Sequence, residues 1–563
     1  STYADALVTL LRRPNVTLVD RRVAVAPLAN RTGDSALDAL GEMSADWIAQ
    51  GLTEIGTFDV VDPRTALVTA RIVHQIPGVL RAGDAAVALA RETGAGLAVG
   101  GSYYRDRDSL RAVVRVIDTE SGEPLRLLPA VSGAANDPGT LVSTLARFTV
   151  AAVASIVDST SPALSASMSP PPSYAAYAAT SQAWESFYRA DTADVFRRLR
   201  HALSLDSMYA PPILMQAYML FQADRWREMD STLRTIRTRG VRLTPVEQAV
   251  LHVLEADVAG DQQARLAASR EMVRLAPAST EAATLAASSA VGIGRYTEGL
   301  SHLERVDPSR GLLLFWSVYW SVKASALHGL GRFEEEVRVV QDGLRRFPGQ
   351  FGLLMYYARA LGAAGLTEAA RAAAREISPG DPFVAYNSAT LGLVAAMELR
   401  AHGKVAEGEA LLDSLADHPF PRSADSAHWP REIALRGEIL YQAGRWAAAD
   451  SVLQVIRGRF PDTLALLGRL ATIAARRNRS DEAARLDAQL RDLPGPWLHG
   501  RQHFWRAHIA AAQGRNEEAV VLLRDAYAAG HSMMGYYDWL PHQDRDFTGL
   551  LHDPAFIALH RRE

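Results

Sequence analysis

Cysteine is missing from all 563 residues and lysine nearly so: of 60 basic residues only Lys323 and Lys404 are lysines. Without a thiol, disulfides, thiolate metal sites, iron–sulfur ligation and cysteine nucleophiles are excluded together. Arginine cannot release its proton to act as a Schiff-base amine, so lysine chemistry has almost no candidates. Lys404 alone follows a glycine, and Val405 stands where a phosphate-cradling loop requires Ser or Thr. Charge of one sign is also lacking: 60 basic against 63 acidic residues leave −3, with neither side of residue 158 strongly charged. No basic field exists to gather phosphates, so nucleic acid is not an expected partner. No run of 18 apolar residues is present, so membrane contact is expected only through a segment absent from this chain. The chain begins at Ser1 rather than Met, and a removed signal peptide or anchor is the expectation. Gly-x-Ser-x-Gly, His-Glu-x-x-His and the His-Arg-Asp and Asp-Phe-Gly pair are absent as well, so neither enzymatic activity nor a cofactor is expected.

What remains, 48% hydrophobic and 22% charged, is the composition of a chain with a large core, and its length calls for more than one folding unit. A lead-in helix is expected over residues 1–19. Over 20–157, strand and helix patterns alternate: Arg21–Leu28, Thr57–Val61, Gly96–Arg105 and Leu110–Ile117 are extended, with Pro124–Leu128 as a hairpin partner across Glu120–Glu123. Leu37–Ile55, Asp84–Thr93 and Leu141–Val157 carry helical spacing. This predicts a small α/β domain, followed at 158–173 by a Ser/Pro linker without apolar period.

Beyond the linker strand signals nearly vanish and turns recur at Asp191, Asp224, Gly260, Gly294, Gly331, Gly365, Gly403, Gly444, Asn478 and Gly514. A period of about 34 residues is that of a helix pair that cannot bury its apolar face alone. Trp320, Ala324, Leu327, Gly331, Phe333, Val340 and Pro348, and then Ile433, Gly437, Leu440, Gly444, Trp446, Ala449, Leu453 and Pro461, follow one aromatic–small–large–turn series. With Gly514-Arg515-Asn516-Glu517-Glu518-Ala519, these strings resemble tetratricopeptide repeats. The expected fold class is thus a small α/β domain followed by an all-α tetratricopeptide-like superhelical solenoid of about ten pairs over 174–530, with a C-terminal cap over 531–563. Two repeats look degraded: Met229 and Asp230 occupy the small position after Asp224, and the Gly294 pair reaches Pro308 early.

Val23-Ala-Val-Ala-Pro-Leu-Ala-Asn-Arg-Thr-Gly-Asp34, Leu40-Gly-Glu-Met-Ser-Ala-Asp46 and Gly51-Leu-Thr-Glu54 resemble the N-terminal α/β domain of TolB-like proteins. Such domains are joined to tetratricopeptide arrays behind bacterial Ser/Thr kinases, nucleotide cyclases or winged-helix domains, none of which this chain contains. The resemblance implies a non-catalytic sensory or scaffold region on the extracytoplasmic, periplasmic side of a membrane-anchored bacterial signalling protein. The alternatives are a free-standing cell-envelope assembly or carrier adaptor, and a cytoplasmic location.

Candidate sites follow from the repeats. First helices of stacked pairs line a groove, and counting from the turns places Arg359, Arg400, Arg431, Glu438, Tyr441, Gln442, Arg501, Phe504 and His508 on it, free to hold a protein or peptide. Arginine and aromatic side chains are the usual anchors of such surfaces. Asn30, Thr32, Gly33 and Asp34 follow a strand but are equally turn and cap residues, the reading preferred here. Gly292-Ile-Gly294 is read as a repeat turn rather than a dinucleotide loop. No metal is expected: His499 and His503 lie on an ordinary amphipathic helix, and His542, Asp544, Asp546, His552 and Asp553 lack calcium-loop spacing and are read as a solvated cap.

Overall fold

The computed structural model describes residues 18–55, 58–73, 84–157, 172–189, 191–277, 279–308, 313, 316–373, 384–418, 429–458, 463–493, 495–532 and 540–560. Except for residues 18–19 and 172–173, the expected lead-in helix and linker fall outside them, as does Pro461. Two compact units are present. The first runs to Val258 with Ala264–Ala286 and Arg305–Trp316; the second holds Ala259–Gln263, Ala287–Glu304 and everything from Ser317. No described helix is long and apolar enough to cross a membrane.

The first unit is built on a sheet of β1 (Val19–Val25), β2 (Ala29–Asn30), β3 (Asp59–Val60), β4 (Ala95–Asp106), β5 (Ser109–Asp118), β6 (Pro124–Leu127) and β7 (Val131–Ala134), in order β3-β1-β4-β5-β6, with β2 on β4 and β7 on β5. β1 is parallel to β3 and β4, while β4–β5–β6 is an antiparallel meander. Alternation sorts the faces. Val23, Val25, Leu97 and Val99 pack with helices Ala39–Ile55 and Pro138–Val157, whereas Ala24, Ala26 and Ala98 meet Ala66, Ala86, Leu89 and Ala90 of helices Pro63–Val73 and Asp84–Thr93. The second face is thin because it must be: a Cβ on Gly100 would lie 2.6 Å from that of Ala86. Pro63–Val73, β2 and β7 are absent from the sequence reading. β2 and β7 are too short to show a period, and the helix begins directly after β3.

The turn after β2 is a cap. Asn30 Oδ1 accepts from the Thr32 amide at 2.9 Å, Gly33 takes φ 76°, and Asp34 Oδ1 accepts from Ala36 N at 3.0 Å at the head of the next helical turn. The first helix pair packs onto this domain within the same unit: Tyr177 donates to Asp46 at 2.5 Å, Tyr174 to the Ala36 carbonyl at 2.7 Å, and Ser181 to Glu42 at 2.6 Å.

Helix pairs then follow from Tyr174–Tyr188 with Thr192–Leu205 to Arg501–Ala512 with Asn516–Ala528. Of the ten turns read from the sequence, nine have a residue of positive φ at the named position, including the non-glycines Asp224 at 54° and Asn478 at 56°. Asp191 instead caps the following helix, accepting from Asp194 N at 3.0 Å. A charged residue follows the left-handed position and pairs with a first-turn glutamate in Arg225–Glu228, Arg295–Glu298, Arg332–Glu335, Arg479–Glu482 and Arg515–Glu518. Both degraded repeats form. Met229 is fully buried among Leu220, Leu233 and Ile236, and the helix after Gly294 is shortened to Tyr296–Leu303, ending before Pro308.

Candidate binding groove

In the second unit, polar side chains of the inner helices Val318–Gly329, Phe351–Ala363, Val384–Ala401, Trp429–Gln442, Leu464–Arg476 and Arg501–Ala512 form a line of contacts from His328 and Arg359 through Glu398 and Arg400 to Gln442, Arg469 and His508. That line is occupied by the chain itself. The short helical turns Pro541–Gln543 and Arg545–Leu550 lie against it, and Asp544 and Asp546 are 1% and 6% exposed. The expectation of a solvated cap is thereby corrected: the acids are buried because the groove supplies cations to meet them. Helix Pro554–His560 adds Phe556 to the core of the last pairs, with Leu523 and Phe547.

Arg469 is the hub. Its guanidinium lies 4.1 Å from the Tyr441 ring centre and 4.9 Å from that of Trp505, and bonds Glu438 and Asp544 at 2.9 Å each. Asp546 accepts from Arg476 at 2.7 Å, from the Tyr441 hydroxyl at 2.5 Å and from His508 Nδ1 at 3.0 Å. Gln442 donates to Asp544 at 2.9 Å and accepts from Arg400 at 2.7 Å, while Arg400 also reaches the Gln543 carbonyl at 3.0 Å. Arg545 Nη2 donates to both carboxylate oxygens of Glu409, at 2.8 and 2.6 Å. Burial opposes ionisation of Asp544, but Arg469 and His508 outweigh it and hold the carboxyl below the usual range. Burial likewise opposes the charge on Arg469, and Glu438 and Asp544 more than restore it.

Of the residues read from the sequence, Arg400, Tyr441, Gln442 and His508 therefore meet one another around the tail, with Glu438 one bond behind. The expectation that these side chains stand free is corrected, since their polar ends are engaged within the chain. Phe504, fully buried, stacks on His531 at 4.3 Å rather than facing outward. Arg359 is buried and donates two hydrogen bonds to Glu336 Oε1, at 2.6 and 2.9 Å. Arg501 is half-buried, and Arg431 is exposed. Arg469, Arg476, Glu336 and Glu398 were missed. Arg469 lies 31 residues beyond Glu438, and carrying the inner-face positions through the ninth pair reaches it.

Further along the groove, His328 Nδ1 pairs with Glu336 at 2.8 Å, and Glu398 is fully buried between His328, His402 and His542. Burial opposes ionisation of Glu398, but these histidines outweigh it and hold the carboxyl well below its ordinary range.

A scan against protein-family models finds no match, and neither does a search of curated proteins. Among solved structures, the chain is similar to a tetratricopeptide repeat protein from Parabacteroides merdae at 13% identity, covering 56% of this chain and 98% of that one, with a TM-score of 0.26. It is similar to the quorum sensor NprR from B. thuringiensis at 11% identity over 62% and 97% of the two chains, TM-score 0.34. Human IFIT1 with m7Gppp-AAAA aligns at 12% identity over 64% and 78%, TM-score 0.33. Superpositions this loose leave the helix-pair fold to rest on the chain's own turns and packing.

Proposed function

We propose that this chain is a non-catalytic protein-binding scaffold whose groove takes a short acidic segment, the place held here by its own Gln543–Phe547, folded in tight helical turns. One observation carries the reading: Arg469, Arg476, Arg400, Gln442 and Tyr441 together bind two aspartates and a main-chain carbonyl of a short segment. Two carboxylates and a backbone acceptor are what an acidic peptide offers any such groove. The test uses a labelled peptide spanning residues 540–552 and the full-length chain, wild type and Asp544→Ala/Asp546→Ala. The variant, whose tail is released, binds the peptide at least tenfold more tightly. Equal or absent binding to both refutes the reading. Charge reversal at the exposed Arg431 and the half-buried Arg501 separately tests whether these two positions contribute to capture.

The finer reading is that the chain belongs to the extracytoplasmic sensory region of a membrane-anchored bacterial signalling protein of Ser/Thr kinase type. It rests on the TolB-like resemblance over residues 20–157, supported by a strand ending before Pro27 and a polar turn that caps the next helix. A free-standing envelope adaptor is the competing proposal. The intact mass of the native protein, matched to its gene, separates them: a heavier product with an apolar span and a catalytic head supports the first, and a cleaved signal alone the second.

A further inference from the structure

Three histidines and a glutamate from distant parts of the chain point their donor atoms at one place. His328 comes from helix Val318–Gly329, Glu398 from helix Val384–Ala401, His402 from the turn one helical step later, and His542 from the tail. Nε2 of His328 lies 3.1 Å from Nε2 of His542 and 3.3 Å from Glu398 Oε1. Nε2 of His402 and of His542 lie 3.1 and 3.5 Å from Glu398 Oε2. With Glu398 Oε2 as its donor atom, the spacings of 3.1, 3.1 and 3.5 Å average about 3.2 Å, close to the roughly 3.3 Å that separates donors held about 2.0–2.1 Å from a tetrahedral ion. All the donor atoms fall within 4.8 Å of one another.

The surroundings hold these donors in place as a ligand set, although His328 and His542 also lie within hydrogen-bond distance of each other. His402 Nε2 and Glu398 Oε2 are both buried, 3.1 Å apart, and neither has a hydrogen-bond partner of good geometry. The ring of His328 is oriented from behind by Glu336, itself held by Arg359, so a neutral ring with its proton on Nδ1 turns its Nε2 lone pair toward the others. Gln543 Nε2 fixes the other Glu398 oxygen at 2.7 Å. Among the described residues no arginine or lysine forms an ion pair with Glu398, so its charge is not met by a fixed cation. The neighbouring group His508, Asp544 and Asp546 is the contrast: Arg469 and Arg476 already occupy it, leaving no charge for an ion to neutralise.

We propose that His328, Glu398, His402 and His542 bind a divalent transition-metal ion, with zinc the first candidate, and that the ion ties the C-terminal segment into the groove. Imidazole nitrogens with one carboxylate suit zinc and its late first-row neighbours and disfavour magnesium and calcium. Four protein ligands close the coordination sphere, the arrangement of a structural rather than a catalytic site. Because one ligand is carried by the tail, binding and docking of that segment are the same event.

The experiment uses full-length protein stripped with a chelator and then titrated with zinc chloride against a chromophoric competitor. The same protein is loaded with cobalt for its visible spectrum, and amide exchange is followed over residues 541–550. Wild type takes up one equivalent, shows the intense bands of tetrahedral cobalt, and its tail amides exchange at least tenfold more slowly with metal. His402→Ala and His542→Ala each weaken binding at least a hundredfold, while His552→Ala, at an exposed position, does not. Glu398→Gln keeps the side chain's shape and, with circular dichroism as its control, separates lost ligation from lost folding. Binding well below one equivalent, or full binding retained by both His402→Ala and His542→Ala, overturns the site. Binding that leaves tail exchange unchanged overturns the tie.

Discussion

Asp546→Ala is the sharpest probe of what holds the tail. The carboxylate accepts from Arg476, the Tyr441 hydroxyl and His508, and lies 3.4 Å from Arg469. Removing one member of a buried ion pair costs about 3–5 kcal/mol, because the partner's charge is left without compensation. The lower end applies, since Arg469 keeps Glu438 and Asp544, and the Arg476 side chain is 21% exposed and regains some water. About 3 kcal/mol corresponds to a little over a hundredfold in the ratio of undocked to docked tail. The loss is local, because Phe547 and Leu550 are the tail's own apolar anchors while the inner helices keep their repeat packing.

Native-state amide exchange measures this directly. The amides of Arg545 and Phe547, bonded to Gln442 Oε1 and the Asp544 carbonyl, exchange about a hundredfold faster in Asp546→Ala, while those of helix Leu464–Arg476 change little. Asp546→Asn keeps an acceptor for Tyr441 but loses the charge, and falls between wild type and alanine. Thr548→Ala, whose hydroxyl bonds only its own turn, changes nothing. In an Arg476→Ala background the Asp546→Ala effect shrinks, because the pair has already been broken. Tail exchange in Asp546→Ala within threefold of wild type would refute the view that the ion network holds the segment. Parallel loss across the inner helices would refute the claim that the effect is local.

Two further outcomes follow from the first unit and the repeats. Burial, with a smaller contribution from Glu42, pushes Asp46 up to about 7, so its folded form holds a proton that the unfolded chain releases near the ordinary carboxylate value. Its contribution is therefore full at low pH and is lost as pH rises toward 7. Asp46→Asn, which still accepts from Tyr177, should unfold in urea at a higher midpoint than wild type at pH 8, and the two should converge toward pH 4; a constant difference would contradict the assignment. A Cβ on Gly468 would lie 2.3 Å from the Trp505 ring, so Gly468→Ala should destabilise by about 1–3 kcal/mol in denaturant unfolding, and an unchanged midpoint would show that the ring has room to move.

The sequence alone determined the repeat. Turn chemistry is local: a left-handed residue after one helix and an Arg–Glu pair opening the next are written within a few positions, and Gly331, Gly444 and Gly514 could be read without knowing what they pack against. The strands of the α/β domain were legible for the same reason, through alternation in Val23–Val25 and Leu97–Val99. What fills the groove was decided only by tertiary structure. Asp544 and Asp546 sit in a polar stretch that reads as solvated, and their burial depends on Arg469 and Arg476, some 70 residues away. His542 meets His328 across 214 residues of chain and has no local signal of partnership. Period and turns depend on near neighbours, whereas the meeting of charges and ligands depends on where the helix pairs of the second unit carry their inner faces, and that is set by packing.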